Sequence, residues 1–249
     1  MRKISYIIFL LFGLLYSEEL TAVEIAAKVY NAPQPLDSES EITMTLFNKK
    51  KNRSKKSVMH SISKDEGNKL LLFFKAPKKD RGIGFLKIES PKNDKLVLFI
   101  PSLNKPRRIS AKNQSDSFMK SDLSYEDMLS PELDDFTYNL LDKEDGFYIL
   151  ERIPIDDNSE YSRHESWVSK DTFLIQKEKS YDQKGILLKN KSFKHQNIDG
   201  FNIISEIDVT NVQKKHQTVL SISNISINSD IDDSEFQEKN LKRWKKYIK

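Results

Sequence analysis

Short segments of alternating apolar and polar residues occupy most of this chain, and they limit what it can fold into. In the first segment Ile42, Met44 and Leu46 alternate with Thr43 and Thr45, so one face of a strand would be apolar and the other would tolerate water. Segments of this kind lie at residues 40–48, 55–63, 68–75, 84–89, 95–100, 105–110, 138–142, 146–154, 161–169, 174–181, 187–196, 201–211 and 218–227. The pattern predicts a mainly β (α+β) fold built on an antiparallel meander.

The connections between these segments support the same fold. Hairpin-type turns are expected at 145–146, 184–185 and 199–200, where glycine follows aspartate or lysine. Apolar residues recur at helical spacing from 21 to 30, and Thr21 with Glu24 matches a capping box. Short helical turns are expected between 116 and 141, with Ser124 as a cap, and a last helix is expected from Glu235.

The first residues indicate export. Positive charge at Arg2 and Lys3 precedes an apolar run that is too short to span a bilayer, and the small residue Ser17 provides a cleavage position before Glu18. Residues 1–17 are therefore interpreted as a signal peptide and residues 18–249 as a single domain. Cysteine is absent, which excludes a lipidated cysteine anchor, thiol catalysis and thiolate metal sites.

Composition argues against several functional classes. The 41 Lys and Arg nearly balance the 37 Asp and Glu, whereas a nucleic-acid binder normally has a stronger basic bias. Four scattered histidines show no metal-ligand spacing, no lipase-type nucleophile motif occurs, and the acids Asp122, Glu126 and Asp127 lack the spacing of a calcium loop. We therefore predict a protein that is not an enzyme and that uses no cofactor and no metal.

Several motifs together resemble the outer-membrane lipoprotein-sorting family, the LolA-like proteins, whose architecture is shared by LolB-type receptors and the lipid-sensing part of RseB. The N-terminal motifs are FKAP at 74–77, DRGIGFL at 80–86, LFIPSLNKPRRI at 98–109 and, as the most specific, SFMKSDLSYEDM at 117–128. In the C-terminal half YDQKG at 181–185, DGF at 199–201 and IDDSEF at 231–236 follow in the same order. The sequence departs from the family at Lys120, where glycine is usual, and at Pro106, which interrupts the basic segment.

The resemblance implies a strongly curved antiparallel sheet, an unclosed half-barrel with short covering helices and an apolar cavity for acyl chains. The expected function is a periplasmic carrier or chaperone that binds lipoprotein acyl chains or free lipid for transfer toward the outer membrane. An inner-membrane transporter would be the donor and an outer-membrane component the acceptor, and the carrier would be a monomer. The alternative is an RseB-like adaptor that senses lipid or lipoprotein and partners an inner-membrane regulator or transporter.

Candidate cavity residues are large apolar side chains of the resembling segments. An acyl chain needs such a lining because each methylene withdrawn from water contributes about 0.8 kcal/mol. The candidates are Leu72, Phe74, Leu86, Val97, Phe99, Phe118, Met119 and Tyr125. The alternative, that any one of them simply fills a core, stays open because alternation does not say which face meets a ligand.

Charged residues supply candidate head-group or lid contacts. Arg81, Arg107 and Arg108 would hold a phosphate or carboxylate, or would pair with Asp122, Glu126 and Asp127 to fasten the loop. Two further basic runs have simple interpretations. Residues 49–56 are taken as a solvated hairpin tip, and residues 241–249, where aromatic residues accompany the cations, either contact anionic head groups or form a frayed end.

Overall fold

The computed structural model describes residues 19–48, 50–90 and 94–248. The signal segment predicted at residues 1–17 lies outside the described residues. The helices are α1 (Ala22–Tyr30) and α2 (Glu238–Leu241). The strands are β1 (Asp37–Asn48), β2 (Arg53–Lys64), β3 (Lys69–Ala76), β4 (Gly84–Ile88), β5 (Lys95–Ile100), β6 (Lys105–Ile109), β7 (Phe136–Glu144), β8 (Phe147–Pro154), β9 (Tyr161–Ser169), β10 (Ile175–Asp182), β11 (Leu187–Ile198), β12 (Phe201–Asn211) and β13 (His216–Ile227).

All strands of the described residues join one antiparallel sheet, in the order β6-β5-β4-β3-β2-β1-β13-β12-β11-β10-β9-β8-β7. Neighbours in the chain are neighbours in the sheet, except that β1 pairs with β13 and so joins the two halves. The edge strands β6 and β7 do not pair with each other, so the sheet is not closed into a barrel. The predicted mainly β, unclosed antiparallel fold is confirmed.

Local chemistry explains most of the element boundaries. The capping box is present: the Glu24 amide donates to Thr21 Oγ1 at 3.3 Å, and the Thr21 amide donates to Glu24 Oε2 at 2.8 Å. Gly146, Gly185 and Gly200 have positive φ angles at the predicted hairpin turns. Several strands are longer than their apolar segments because their hydrogen bonds to the neighbouring strand continue past them. Strand β7 therefore starts at Phe136, inside the segment predicted to be a loop.

Two different layers cover the two faces of the N-terminal half of the sheet. The first, which we call the loop face, carries Met44, Met59, Phe74 and Phe85 and is covered by the loop that includes Phe118. Short helical turns in this loop lie at Phe118–Lys120, Glu126–Met128 and Leu133–Asp135, as predicted, and a further turn at Ala111–Asn113 lies before the predicted segment. The chain between β6 and β7 therefore acts as a cover.

The opposite face, which we call the tail face, lies beneath the C-terminal segment. Phe73 packs there against the buried side chains of Leu241 and Ile248, and the Tyr247 ring stacks on Phe73 at 4.8 Å. The last helix differs from the prediction: a 3-10 turn spans Asp233–Glu235 and α2 starts only at Glu238. The interpretation of residues 241–249 as a frayed end is wrong, because Leu241 and Ile248 are buried.

Helix α1 covers a third apolar cluster beside the other edge of the sheet. Its buried Ile25 and Ala26 pack with Leu150 of β8 and Val168 of β9. Within the part of the chain that the structure describes, no helix has the length and apolar character needed to cross a bilayer.

Candidate functional site

A continuous row of apolar side chains crosses the loop face at the junction of the two halves of the sheet. Met44 of β1 pairs with Leu220 of β13, Leu220 with Ile207 of β12, and Ile207 with Phe193 of β11. Directly paired residues of antiparallel strands point to the same face, so these four side chains form one surface, here called the apolar row. Met44 is buried, whereas the other three are partly exposed.

One end of the apolar row lies under the loop, and the other residues of the row are partly exposed to solvent. Ile42, Met128, Leu129 and Leu220 are partly buried and pack against the closed cluster around Met44. Ile222 pairs with Ile42 on the same face and is also partly exposed. The surface is therefore apolar, partly open to solvent and continuous with the interior.

The eight predicted cavity residues do not lie together. Five of them are on the loop face, packed in one cluster: Leu72, Phe74, Phe118, Met119 and Tyr125. The other three are on the tail face under the C-terminal segment: Leu86, Val97 and Phe99. Alternation along β4 and β5 cannot distinguish the two faces, because both are apolar and both are covered.

The loop-face candidates pack against one another. The Phe85 ring lies 5.3 Å from Phe118 and 5.9 Å from Tyr125, and Phe118 meets Tyr125 edge-on at 5.8 Å. Two surface cavities, of about 300 and 420 Å³, are lined by other residues. The aromatic residues of the loop thus occupy the space over the sheet that an apolar ligand would need.

Asp122 fastens the loop to the start of β13. Its carboxylate accepts a hydrogen bond from Thr218 Oγ1 at 2.7 Å and lies 2.6 Å from His216 Nδ1. The Asp122 amide donates to Thr218 Oγ1 at 2.8 Å. Because Asp122 and Thr218 are buried, this contact excludes water and holds the loop in one register over the sheet.

Asp127 makes a second connection, to a group of buried charges on β9 to β11. Its carboxylate pairs with Lys189 at 2.9 Å and Lys191 at 2.7 Å and accepts a hydrogen bond from Tyr161 Oη at 2.8 Å. Lys191 also pairs with Glu178 at 3.1 Å. We call these five residues the ionic latch, since they join the loop to the polar half of the loop face.

The pKa values within the ionic latch follow from burial opposed by pairing. Burial by itself would raise the pKa of Asp127, but the charges of Lys191 and Lys189 hold that pKa well below its usual range. Burial would lower the pKa of Lys191, but Asp127 and Glu178 raise it. Asp127 and Lys191 are therefore both ionised at neutral pH, and each of these two charges depends on its partners.

Further contacts lie at the rim of the latch. Glu126 accepts hydrogen bonds from Ser159 Oγ and from the Glu160 amide, the latter at 2.7 Å, and burial raises its pKa. His164 lies 3.5 Å from Glu178, and burial lowers the pKa of His164. Arg152 pairs with the same glutamate.

The predicted arginines are not the residues that fasten the loop. Among the contacts of the described residues, Arg81 donates to the Ile248 carbonyl at 3.2 Å and Arg108 to the Asp94 carbonyl at 3.3 Å. Arg107 faces the loop, where its charge lowers the pKa of Tyr125 against the larger effect of burial, which raises it. The acids Asp122, Glu126 and Asp127 do fasten the loop, but their partners come from β9, β11, β13 and the turn before β9.

Sequence reasoning missed both the apolar row and the cations of the latch. Lys189 and Lys191 stand at alternate positions of β11, which is the ordinary pattern of a solvated strand face. Nothing local distinguishes them from exposed lysines. Within the described residues, no group of three or more histidine, aspartate or glutamate side chains is arranged to hold a metal ion.

Comparison with solved structures identifies the family. The structure of an outer membrane lipoprotein-sorting protein domain from Vibrio parahaemolyticus matches with a TM-score of 0.83 and 31% identity, over 89% of this chain and 98% of that chain. The chain belongs to the outer-membrane lipoprotein-sorting protein family. Its sheet is thus the open, curved sheet of LolA-like proteins, as the sequence motifs predicted.

Two further structures resemble this lipoprotein-sorting family member. A DUF1329 family protein from Desulfovibrio piger matches with a TM-score of 0.81 and 28% identity, over 88% of this chain and 97% of that chain. A LolA superfamily protein from Nitrosomonas europaea matches with a TM-score of 0.71 over 89% of this chain and 99% of that chain, and its 22% identity makes this a likeness of fold. A family model described as "Uncharacterized protein" matches residues 66–243, and a search of curated proteins finds no match.

Proposed function

We propose that this protein is a non-enzymatic carrier that binds the acyl chains of a lipoprotein or a free lipid on the apolar row. The main support is the course of the row, from the buried Met44 to the partly exposed Leu220, Ile207 and Phe193. An acyl chain laid along it would contact apolar side chains of four adjacent strands. The relative from Vibrio parahaemolyticus, which is described as an outer membrane lipoprotein-sorting domain, supports the same class of cargo.

In this proposal the loop is a movable cover. Phe118 and Tyr125 pack in the same cluster as Met44, at the covered end of the apolar row, and an acyl chain takes their place when they withdraw. Asp122 and Asp127 set the resistance to opening, because both must leave buried partners when the loop lifts.

The magnitudes permit such an exchange. Burial of a whole acyl chain contributes on the order of 10 kcal/mol, at about 0.8 kcal/mol per methylene. Removing one partner from a buried ion pair costs roughly 3–5 kcal/mol. Opening of the cover releases two buried anchors, Asp122 and Asp127, at a cost of roughly 6–10 kcal/mol, so the gain from one acyl chain is about enough to balance it. Release requires an acceptor with a higher affinity.

The same proposal assigns the cellular setting. The carrier works in the periplasm after loss of residues 1–17, takes cargo from an inner-membrane transporter and delivers it to an outer-membrane acceptor. It acts as a monomer, since a diffusing carrier must expose the entrance to its site.

Native mass spectrometry with lipid extraction tests the proposal on protein purified gently from the cell envelope. The informative variant is Leu220→Glu, which puts a charge on the apolar row. The matched control is Ser221→Glu, one residue further along the same strand, where the side chain points to the opposite face. Both positions are partly buried and lie on the same strand, so the two variants differ mainly in the face of the sheet that receives the new charge.

We expect acyl species on the wild-type protein and on Ser221→Glu, and their loss from Leu220→Glu. Transfer of the cargo between donor and acceptor vesicles would support a carrier, whereas a stable complex with an inner-membrane regulator would support the sensing adaptor. Wild-type protein that carries no acyl species and refuses fatty-acid probes would exclude the lipid-binding function.

A further inference from the structure

Charge is segregated between the two ends of the sheet, although the net charge of the chain is only +4. Antiparallel strands place successive turns at opposite ends, so the turns β1–β2, β3–β4, β5–β6, β8–β9, β10–β11 and β12–β13 share one end. Four of these six turns carry lysine or arginine, and the β5–β6 turn is followed directly by Lys105, the first residue of β6. The cations there are Lys50, Lys51, Lys78, Lys79, Arg81, Lys105, Lys184, Lys214 and Lys215, and we call this the basic end.

Acids mark the turns at the other end. Each of the turns β2–β3, β4–β5, β7–β8, β9–β10 and β11–β12 carries aspartate. Two of them also contain a lysine: Lys170 in the β9–β10 turn, and Lys92 in the β4–β5 turn, which lies outside the described residues. The residues are Asp65, Glu66, Asp94, Asp145, Asp171 and Asp199. The turns at the two ends of the sheet therefore differ in charge. Lysines also stand at strand termini of the acidic end, at Lys64, Lys69 and Lys95, but each of them pairs with an acid there.

The C-terminal segment adds further cations to the basic end. A Cβ placed on Gly82, in the β3–β4 connection, would lie 2.7 Å from the Trp244 ring and 3.0 Å from Pro101, which follows β5. Arg81 donates to the carbonyl of Ile248 at 3.2 Å. These contacts hold the tail against the basic end, where its residues Lys242, Arg243 and Lys245 are exposed.

Few acids neutralise this end. Asp80 lies in the β3–β4 turn and pairs with Lys55 at 2.9 Å, and Glu235 pairs with Lys246 at 2.5 Å. Acids for which the described residues show no ion pair lie mainly near the far edge of the sheet, at Asp134 and Asp135 before β7 and at Asp156 and Asp157 in the β8–β9 turn, and Asp182 ends β10. In the described part of the chain the cations therefore extend from β6 to β10, and most of the acids lie beyond them, at the β7 edge.

We propose that the basic end docks on an anionic phospholipid bilayer. The cations extend over turns that belong to ten adjacent strands, roughly 40 Å along the curved end of the sheet at about 4.8 Å per strand, and so large a cationic area suits the extended surface of a bilayer. Lysines outnumber arginines, and lysine attracts phosphate as a point charge without a fixed pairing geometry. The tip residue Leu103 is 67% exposed among these cations, where a head-group region would receive it.

Docking of this end would bring the cover close to the membrane. Asp122 meets His216 and Thr218 at the start of β13, and Asp127 meets Lys189 near the start of β11. Both strands start at the basic end. The docking itself does not depend on the apolar row, so it stands or falls separately from the carrier function.

Vesicle flotation tests the docking with phosphatidylcholine vesicles that contain, or lack, a quarter of phosphatidylglycerol. The test variant is Lys78→Glu/Lys79→Glu/Lys105→Glu, three exposed lysines of the basic end for which the described residues show no ion pair. The control is Lys177→Glu/Lys194→Glu/Lys239→Glu, which changes the net charge equally at exposed positions away from that end. Native mass spectrometry reports acyl occupancy for each.

The wild-type protein should bind only the anionic vesicles, at low salt, and 0.5 M NaCl should release it because screening shortens the reach of the charges. The affinity of the test variant for the anionic vesicles should be at least about 100-fold lower than that of the wild type, because each of the three cations removed contributes about fivefold. The control should stay within about threefold of wild type, and acyl occupancy should not change in either variant.

Wild-type protein that ignores the anionic vesicles overturns the proposal, even if it captures an acidic protein instead. Equal loss of binding in the two triple variants also overturns it, since net charge and not the basic end would then decide. If the wild-type protein binds the anionic vesicles but carries no acyl species, the carrier function is contradicted and the docking proposal is not.

Discussion

Replacing Asp127 by asparagine removes the central charge of the ionic latch and keeps the shape of the side chain. The Asp127 side chain is only 4% exposed and pairs with Lys189 at 2.9 Å and Lys191 at 2.7 Å. Removing one partner of a buried pair typically costs 3–5 kcal/mol. Each lysine keeps a second acid, Glu160 at 2.9 Å for Lys189 and Glu178 at 3.1 Å for Lys191, so the lower limit applies, and we expect a loss of about 3 kcal/mol.

Urea denaturation measures this loss, and hydrogen exchange locates it. Exchange should accelerate in the loop, at amides such as that of Tyr125, which donates to the Asp116 carbonyl at 3.1 Å. The control is Asp134→Asn, in the same loop at an exposed position. A double variant with Lys191→Met should cost less than the sum of the two single changes. If Asp127→Asn is as stable as Asp134→Asn, the loop is not held by the ionic latch.

Three more predictions concern stability. Because the folded-state pKa of Asp127 is lowered, its ionised form stabilises the fold above the unfolded pKa of about 4, and this contribution is lost as pH falls toward the folded value; melting temperatures from pH 7 to pH 3 should therefore fall less steeply in Asp127→Asn. Leu241→Ala should cost about 2–5 kcal/mol in urea denaturation because Leu241 is fully buried, whereas the exposed Lys239→Ala should change stability by less than about 0.5 kcal/mol. Gly82→Ala should be less stable than Gly185→Ala by about 1–3 kcal/mol, since both have positive φ but only Gly82 lies against an indole ring; equal losses would show that this contact does not matter.

The strands could be predicted from the sequence because they depend on the local alternation of apolar and polar residues. The alternation of Ile42, Met44 and Leu46 with threonine marks a strand whatever lies around it. The same holds for the capping box at Thr21 and for the hairpin glycines. Strand ends were less predictable, as at Phe136, because ladder hydrogen bonds from a neighbouring strand extend β7 past its apolar run.

Only part of the candidate site could be predicted from the sequence. The motif at 117–128 pointed to the cover and to the acids that fasten it, but not to their partners, since Lys189 and Lys191 are more than 60 residues away in the chain. The arginines near the motif were the obvious cations, yet the described contacts place Arg81 on the C-terminal segment. Distance along the chain gave no information about which cation would meet which acid.

The sequence by itself determined the antiparallel β class, the family resemblance and the segments that would form a cover. Only the tertiary structure decided which apolar face lies under the loop and which lies under the tail, and therefore why Phe74 and Phe99 are on opposite sides. A strand has two faces of equal period, and nothing local selects between them when both are apolar. The pairing of β1 with β13 places Met44 beside Leu220 and so forms the apolar row. The antiparallel strand order places the basic turns and the acidic turns at opposite ends of the sheet.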